Sequence, residues 1–290
     1  MTQLAQLETP TRPQIHRQTE PSRTMQYARA FAGLFMRDLH VLGRELFPFV
    51  IRVCMNPLLF LFVFTFIMPH MSGGAAMNPT SAMAGTNFST VLLPGLMAVA
   101  IMFSGIAAVA LPLAQEFGIT REIDDRVMCP LPVAAVALEK ICFSAMQSVI
   151  AAAVVFPLAY YIPVTPVVAH VNNWPYLIVV LVLASLTSGA LGLTIGTSVK
   201  PQQIGLIFGV VVMPITFLGC VYYPWAALYP IRWLQIGVLV NPIVYMSEGL
   251  RSALTPGPHM PPLLILTMLV FFLVLLTWVG IRGFLRRVIG

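Results

Sequence analysis

Charge is the scarcest commodity in this sequence. Of 290 residues, 9% are Asp, Glu, Lys or Arg and 58% are hydrophobic, with a mean hydropathy of +0.88. No charged residue occurs from Val53 to Gln115, and none from Ile141 to Val199. Soluble domains carry roughly 25% charged residues, so runs of this kind exclude an ordinary water-soluble domain. They belong in lipid, where a charge at the centre of a helix is costly. Alternation of polar and apolar residues is missing as well. The apolar runs also exceed the length of a barrel strand, which excludes a transmembrane barrel.

Signatures of catalysis and of nucleotide binding are absent too. Lys140 and Lys200 are the only lysines, and neither follows a glycine-rich turn, so no GxxxxGK[ST] loop exists. HExxH and GxSxG are missing. Cys54, Cys129, Cys142 and Cys220 are far apart, form no CxxC and have no histidine at ligand spacing. They read as packing residues, not as a zinc site or a disulfide framework. Ser104, Ser144, Ser148, Ser185 and Ser188 lie in apolar runs without His or Asp, the pattern of helix packing and not of a nucleophile. Glu139 and Lys140, at the start of the third run, read as boundary residues more readily than as a coupling-ion site. The expectation is no catalytic residue, no metal and no cofactor bound by this chain. If it pumps, another protein supplies the energy.

Six apolar stretches remain, at roughly 49–69, 90–113, 134–161, 175–198, 203–222 and 262–281, each near the ~20 residues a membrane helix needs. They predict an all-α membrane protein. With six spans both termini face the same side, and every Lys and Arg except Arg232 and Arg251 falls on it. The positive-inside rule makes that side cytoplasmic. The net charge of +6 is then a cytoplasmic flank attracted to anionic lipid headgroups, and implies no nucleic-acid partner. Ten of the twelve Trp and Tyr residues map to the opposite side. Two readings stand for them: an interfacial belt, or an aromatic-lined exit for an amphipathic or sugar-bearing substrate.

Residues 1–24 are polar and contain Pro10, Pro13 and Pro21, and read as a disordered cytoplasmic tail. Residues 25–47 predict an amphipathic helix. Phe31, Phe35, Leu39, Leu42 and Leu46 recur every three or four residues, with Arg29, Arg37, His40 and Arg44 opposite. Such a helix lies in the headgroup plane or packs on a soluble partner. Residues 48–290 form the six-span domain. Within it, 223–261 holds two apolar pieces split by Asn241-Pro242, the first too short to span, and reads as a helical pair that dips into the outer leaflet and returns.

Between the second and third apolar runs sits a dense charged patch, Glu116 to Arg126, closed by Cys129-Pro-Leu-Pro132. As a helix it would place Ile119, Ile123 and Val127 on one face, ringed by Glu116, Arg121, Glu122, Asp124, Asp125 and Arg126. An apolar edge framed by charges that fix register suits a docking surface for a cytoplasmic partner; the other reading is a solvated loop.

The order of these parts resembles the membrane subunit of ABC-2 type exporters, the group of the daunorubicin-exporter and nodulation-factor-exporter permeases. It is carried by the amphipathic N-terminal helix, the six spans, the charged loop 115–132, the helical segment 223–261 and the run Asn241-Pro-Ile-Val-Tyr-Met-Ser-Glu-Gly-Leu-Arg251. The resemblance implies a permease working as a homodimer, or with a sister subunit, on two separately encoded cytoplasmic ABC ATPase subunits that bind ATP and Mg. It implies that Glu116 to Met128 forms a coupling helix, and that Lys200 and Gln202 make a second, shorter contact, although those two also fit a plain tight turn. Spans two and five would line the path, offering Met97, Met102, Phe103, Met213 and Phe217 to a lipophilic drug or a lipid- or glycan-linked cargo. Asn241, Pro242, Tyr245, Glu248 and Arg251 carry the motif of the outward segment. Glu248 and Arg251 either pair on one helix face, bridge to a partner subunit or hold the re-entrant helices in place. A non-transporting scaffold and an ion-coupled transporter are the competing readings, and outward direction rests on the resemblance.

Overall fold

The computed structural model describes residues 23–67, 88–120, 131–162, 171 and 173–289, and these are helical almost throughout. Helix α1 (Arg23–Arg44) is followed by α2 (Leu46–Leu61), which continues as wide π-type turns over Phe62–Ile67. Then come α3 (Phe88–Gln115), extended by a π-type turn at Glu116–Thr120, α4 (Val133–Tyr161) and α5 (Trp174–Ser198). Helix α6 (Pro201–Phe217) is short and irregular. After two 3-10 turns and α7 (Arg232–Gly237), α8 (Pro242–Leu254) and α9 (Pro262–Ile289) complete the order. Residues 1–22 of the expected tail lie outside the described residues.

Among the described residues, four helices are long and apolar enough to cross a membrane: Thr90–Gly118, Val133–Leu158, Trp174–Ser198 and Pro262–Val288. They coincide with the second, third, fourth and sixth expected spans. The stretches expected as spans one and five are shorter apolar helices, Leu46–Phe60 and Pro201–Phe217. Helix α6 is broken internally by a π-type turn at Phe208–Val212 and by Pro214 at the start of its last segment, both common causes of a helix kink. The segment 223–261 is helical in short pieces.

Helix α3 is the centre of the bundle, packed against α4, α5 and α8, while α9 packs on α5. An apolar helix surrounded on all sides must be close-packed, and small residues make that possible. A side-chain carbon on Gly105 would fall 2.0 Å from the Ser188 hydroxyl, and one on Gly192 would fall 2.9 Å from the Ile106 backbone. The hydroxyls of Ser148 and Ser188 lie 3.3 Å apart across the same seam. By contrast, α9 turns Phe271, Val274 and Trp278 outward, as a lipid-facing helix would.

The amphipathic α1 packs its buried Leu34 into the apolar cluster at one end of α3, α4 and α9, and Phe35 meets Phe143 edge-on at 6.0 Å. It leaves Met36 and Val41 exposed. Thus it lies across the ends of the long helices, one side on the bundle and one side free.

Gly105→Leu is expected to drive α3 and α5 apart and to destabilise the protein by about 1–3 kcal/mol, the usual cost of overpacking. Thermal unfolding in detergent measures it, with Gly33→Ala, where nothing lies within 4 Å, as the silent control.

Candidate functional site

The charged patch begins where α3 ends. Glu116, the first residue of the terminal π-type turn, is buried, and its Oε1 accepts a hydrogen bond from Lys140 Nζ at 2.8 Å. Lys140 sits in the first turns of α4, so this ion pair ties together the two helices that the loop connects. A pair taken out of water holds firmly only when both members are present, because losing one strands the other's charge.

The next residues of the turn are moored elsewhere. The Phe117 ring meets Phe284 of α9 at 6.0 Å, and the Arg287 guanidinium lies 5.3 Å from the Phe117 centroid. Arg287 also donates to the Val199 carbonyl at 2.6 Å. Gly118 lies so close to Pro201 that a side-chain carbon would sit 2.7 Å from the Pro201 ring. The root of the patch is therefore fastened to α4, to the α5–α6 turn and to α9 at once.

Exposed Lys200 and Gln202 stand on that same turn, next to Gly118. The described root of the first expected cytoplasmic contact thus lies beside the second. Arg121, Glu122, Ile123, Asp124, Arg126 and Val127 lie outside the described residues. Ile119 falls in the described turn. Glu116, expected on the docking rim, is turned inward to Lys140. Lys140, expected as a boundary residue, is instead the buried partner of Glu116; the only sequence hint of its role is opposite charge at the facing ends of two helices joined by a short loop.

Beside this ion pair a cavity of about 680 Å³ opens between α1, α2, α3 and α4. Glu116 and Lys140 are part of its wall, with Arg37, Asp38 and Glu45 from the α1–α2 elbow, while Phe49, Phe103 and Phe143 form apolar wall. Of the five expected path residues, Phe103 faces this cavity. Met97 and Met102 are instead buried in the core, and Met213 and Phe217 are exposed on α6. Within one chain the five do not converge on a common passage.

The Asn241–Arg251 run builds a second polar centre. Asn241 caps α8: its side-chain oxygen accepts from the Ile243 amide at 3.1 Å, and its amide nitrogen donates to the Ile215 carbonyl at 2.6 Å. Pro242 occupies the first helical turn, where its missing N–H costs nothing. Tyr245 donates to the Leu239 carbonyl at 2.9 Å. Glu248 and Arg251 are both fully buried and pair with each other within the chain.

That pair is surrounded by backbone. Glu248 also accepts from the amides of Trp225 at 2.9 Å and Met260 at 3.2 Å, while Arg251 donates to the Cys220 carbonyl at 3.1 Å. Ser247 donates to the adjacent Gly219 carbonyl at 2.8 Å. Cys220 has a left-handed φ of 52°, a strained conformation for a side-chain-bearing residue that surrounding contacts must hold. Gly95 of α3 packs against the next residue of this turn: a side-chain carbon there would fall 1.9 Å from the Val221 carbonyl oxygen. This centre has no catalytic geometry. It fastens α6, the short helices and α9 to α8.

Residues 29–255 match the family model of the ABC-2 type transporter. The chain is also 26% identical over 196 residues to the inner membrane transport permease YadH of Escherichia coli K12, spanning 66% of this chain and 73% of that protein. The same identity and coverage hold for YadH of Escherichia coli O157:H7 and of Shigella flexneri.

Replacing Arg251 by Met leaves the Glu248 carboxylate buried without its cation and is expected to destabilise the chain by about 3–5 kcal/mol. A large loss of thermal stability in detergent checks this. Glu248→Gln, which keeps the shape and some hydrogen bonds, is expected to fall between the two.

Proposed function

Since the chain belongs to the ABC-2 type transporter family, we propose that it is the transmembrane permease subunit of an ATP-driven exporter in a bacterial inner membrane. Two copies, or one copy and a sister subunit, would work with two cytoplasmic ATPase subunits that bind ATP and Mg. In this reading the shorter helices Leu46–Phe60 and Pro201–Phe217 complete six spans, both termini are cytoplasmic, and the pieces between residues 223 and 261 re-enter the outer leaflet. The cargo is a lipophilic drug or a lipid- or glycan-linked molecule.

The observation that carries the proposal is the mooring of the loop root. Glu116 on Lys140, Phe117 on Phe284 and Gly118 on Pro201 tie the start of the charged patch to three other parts of the bundle. A displacement of the loop by an ATPase is then felt at once by α3, α4, α6 and α9. ATP binding would draw the ATPase subunits together, carry the two loops with them and shift the long helices against one another. The inner-membrane relatives of the same family support the location.

Co-purification in mild detergent from the native host tests the reading. A stoichiometric ATPase is expected with the native chain, and Ile123→Asp or Arg121→Glu is expected to reduce its recovery about tenfold or more, as loss of a contact at the centre of an interface does. Recovery of a pure, well-folded oligomer with no nucleotide-hydrolysing partner would instead favour a scaffold or an ion-coupled transporter.

A further inference from the structure

We propose that the cavity between the α1–α2 elbow and helices α3 and α4 is a binding site for an amphiphile whose polar end carries a protonated amine. Its volume of about 680 Å³ lies within the range that encloses a drug-sized molecule or a lipid chain. The wall combines two chemistries. Phe49, Phe103, Phe143 and Phe208 line it, and aromatic faces attract cations as well as apolar bodies.

The charges at the rim set the sign of the guest. Lys140 is committed to Glu116, and Arg37 and Asp38, which cancel formally, each already have a partner. Glu45 makes no side-chain ion pair with any described residue, which leaves a carboxylate as the charge to be met. Glu45 is exposed at the mouth of the cavity, where its carboxylate would repel an anionic head and pair with an amine.

A third observation comes from the wall of α3. Ser104 is buried, lines the cavity, and its hydroxyl has no hydrogen-bond partner among the described residues. A buried hydroxyl left unpaired is unfavourable, and native structures rarely keep one without a ligand or ordered water to satisfy it. A polar atom partway along the guest, such as an ester or hydroxyl, meets it.

The amine has two possible sources, a membrane aminophospholipid or a free amphiphilic amine that is the cargo. The site rests on the exporter reading only for its place at the cytoplasmic leaflet; binding itself needs no ATPase. The test therefore uses the full chain alone in phosphatidylcholine nanodiscs, photolabelled with a diazirine-bearing dodecylamine and mapped by mass spectrometry. Label is expected on peptides containing Phe49, Phe103 and Phe143, competed by dodecylamine and not by dodecyl sulfate.

Glu45→Gln is expected to weaken competition by about threefold to fivefold, the loss of one solvent-exposed ion pair. Ala107→Phe, which fills the cavity, is expected to abolish the label while leaving elution as a folded oligomer unchanged. Displacement by phosphatidylethanolamine in the disc would identify a lipid guest, and no displacement a free amine; both leave the amine chemistry standing. Equal competition by dodecyl sulfate, or label confined to the outward face of α9 and indifferent to Glu45→Gln, would overturn the site. Absence of a captured ATPase would overturn the exporter reading while leaving this labelling pattern intact.

Discussion

Lys140 and Glu116 meet at 2.8 Å where neither has much access to water, in a chain that places few charges in its helices. A buried pair of this kind contributes little as raw stability, because desolvation offsets most of the attraction. Its value is geometric. It fixes the end of α3 against the start of α4, and everything attached to the loop between them inherits that position. The same two residues form part of the cavity wall. One interaction therefore stands between the part of the chain that would meet an ATPase and the part that has room for a guest.

The other buried pair, Glu248 with Arg251, does a different job at the opposite end of α3. Four backbone groups and a strained Cys220 turn converge on α8. The short pieces after α6 have little regular hydrogen bonding of their own, and in an apolar setting their free amides and carbonyls need partners. Glu248, Arg251, Ser247 and Asn241 supply them. The two pairs thus hold the two ends of the central helix, one through side chains of neighbouring helices, the other through irregular backbone.

Much of this was legible in the sequence, for physical reasons that also mark where legibility stopped. Apolar length locates α3, α4, α5 and α9, because no other signal in a protein resembles twenty residues without charge. The three-to-four spacing of Phe31, Phe35, Leu39 and Leu42 locates α1, found at Arg23–Arg44. Asn241 before Pro242 announces a helix start, and it is one. Inside α3 the sequence pattern carries no such signal. The helix is apolar all round, so no periodicity says which residues face the core. Met102 and Phe103 are neighbours about 100° apart on the helix, so the core takes the first and the cavity the second. Likewise the Glu116–Lys140 contact joins residues 24 apart. Only the close approach of α3 and α4, set by small residues such as Gly105, brings them together.

The central claim is that the Glu116–Lys140 pair moors the loop and transmits its displacement. A charge swap tests it most directly: Glu116→Lys, Lys140→Glu and the double variant, each scored for thermal stability and for recovery with the proposed ATPase. The account predicts that each single reversal, which sets like charges together in a buried site, loses both, and that the double variant regains most of what they lost. Singles that behave as the native chain, or a double variant as impaired as the two singles combined, would contradict it.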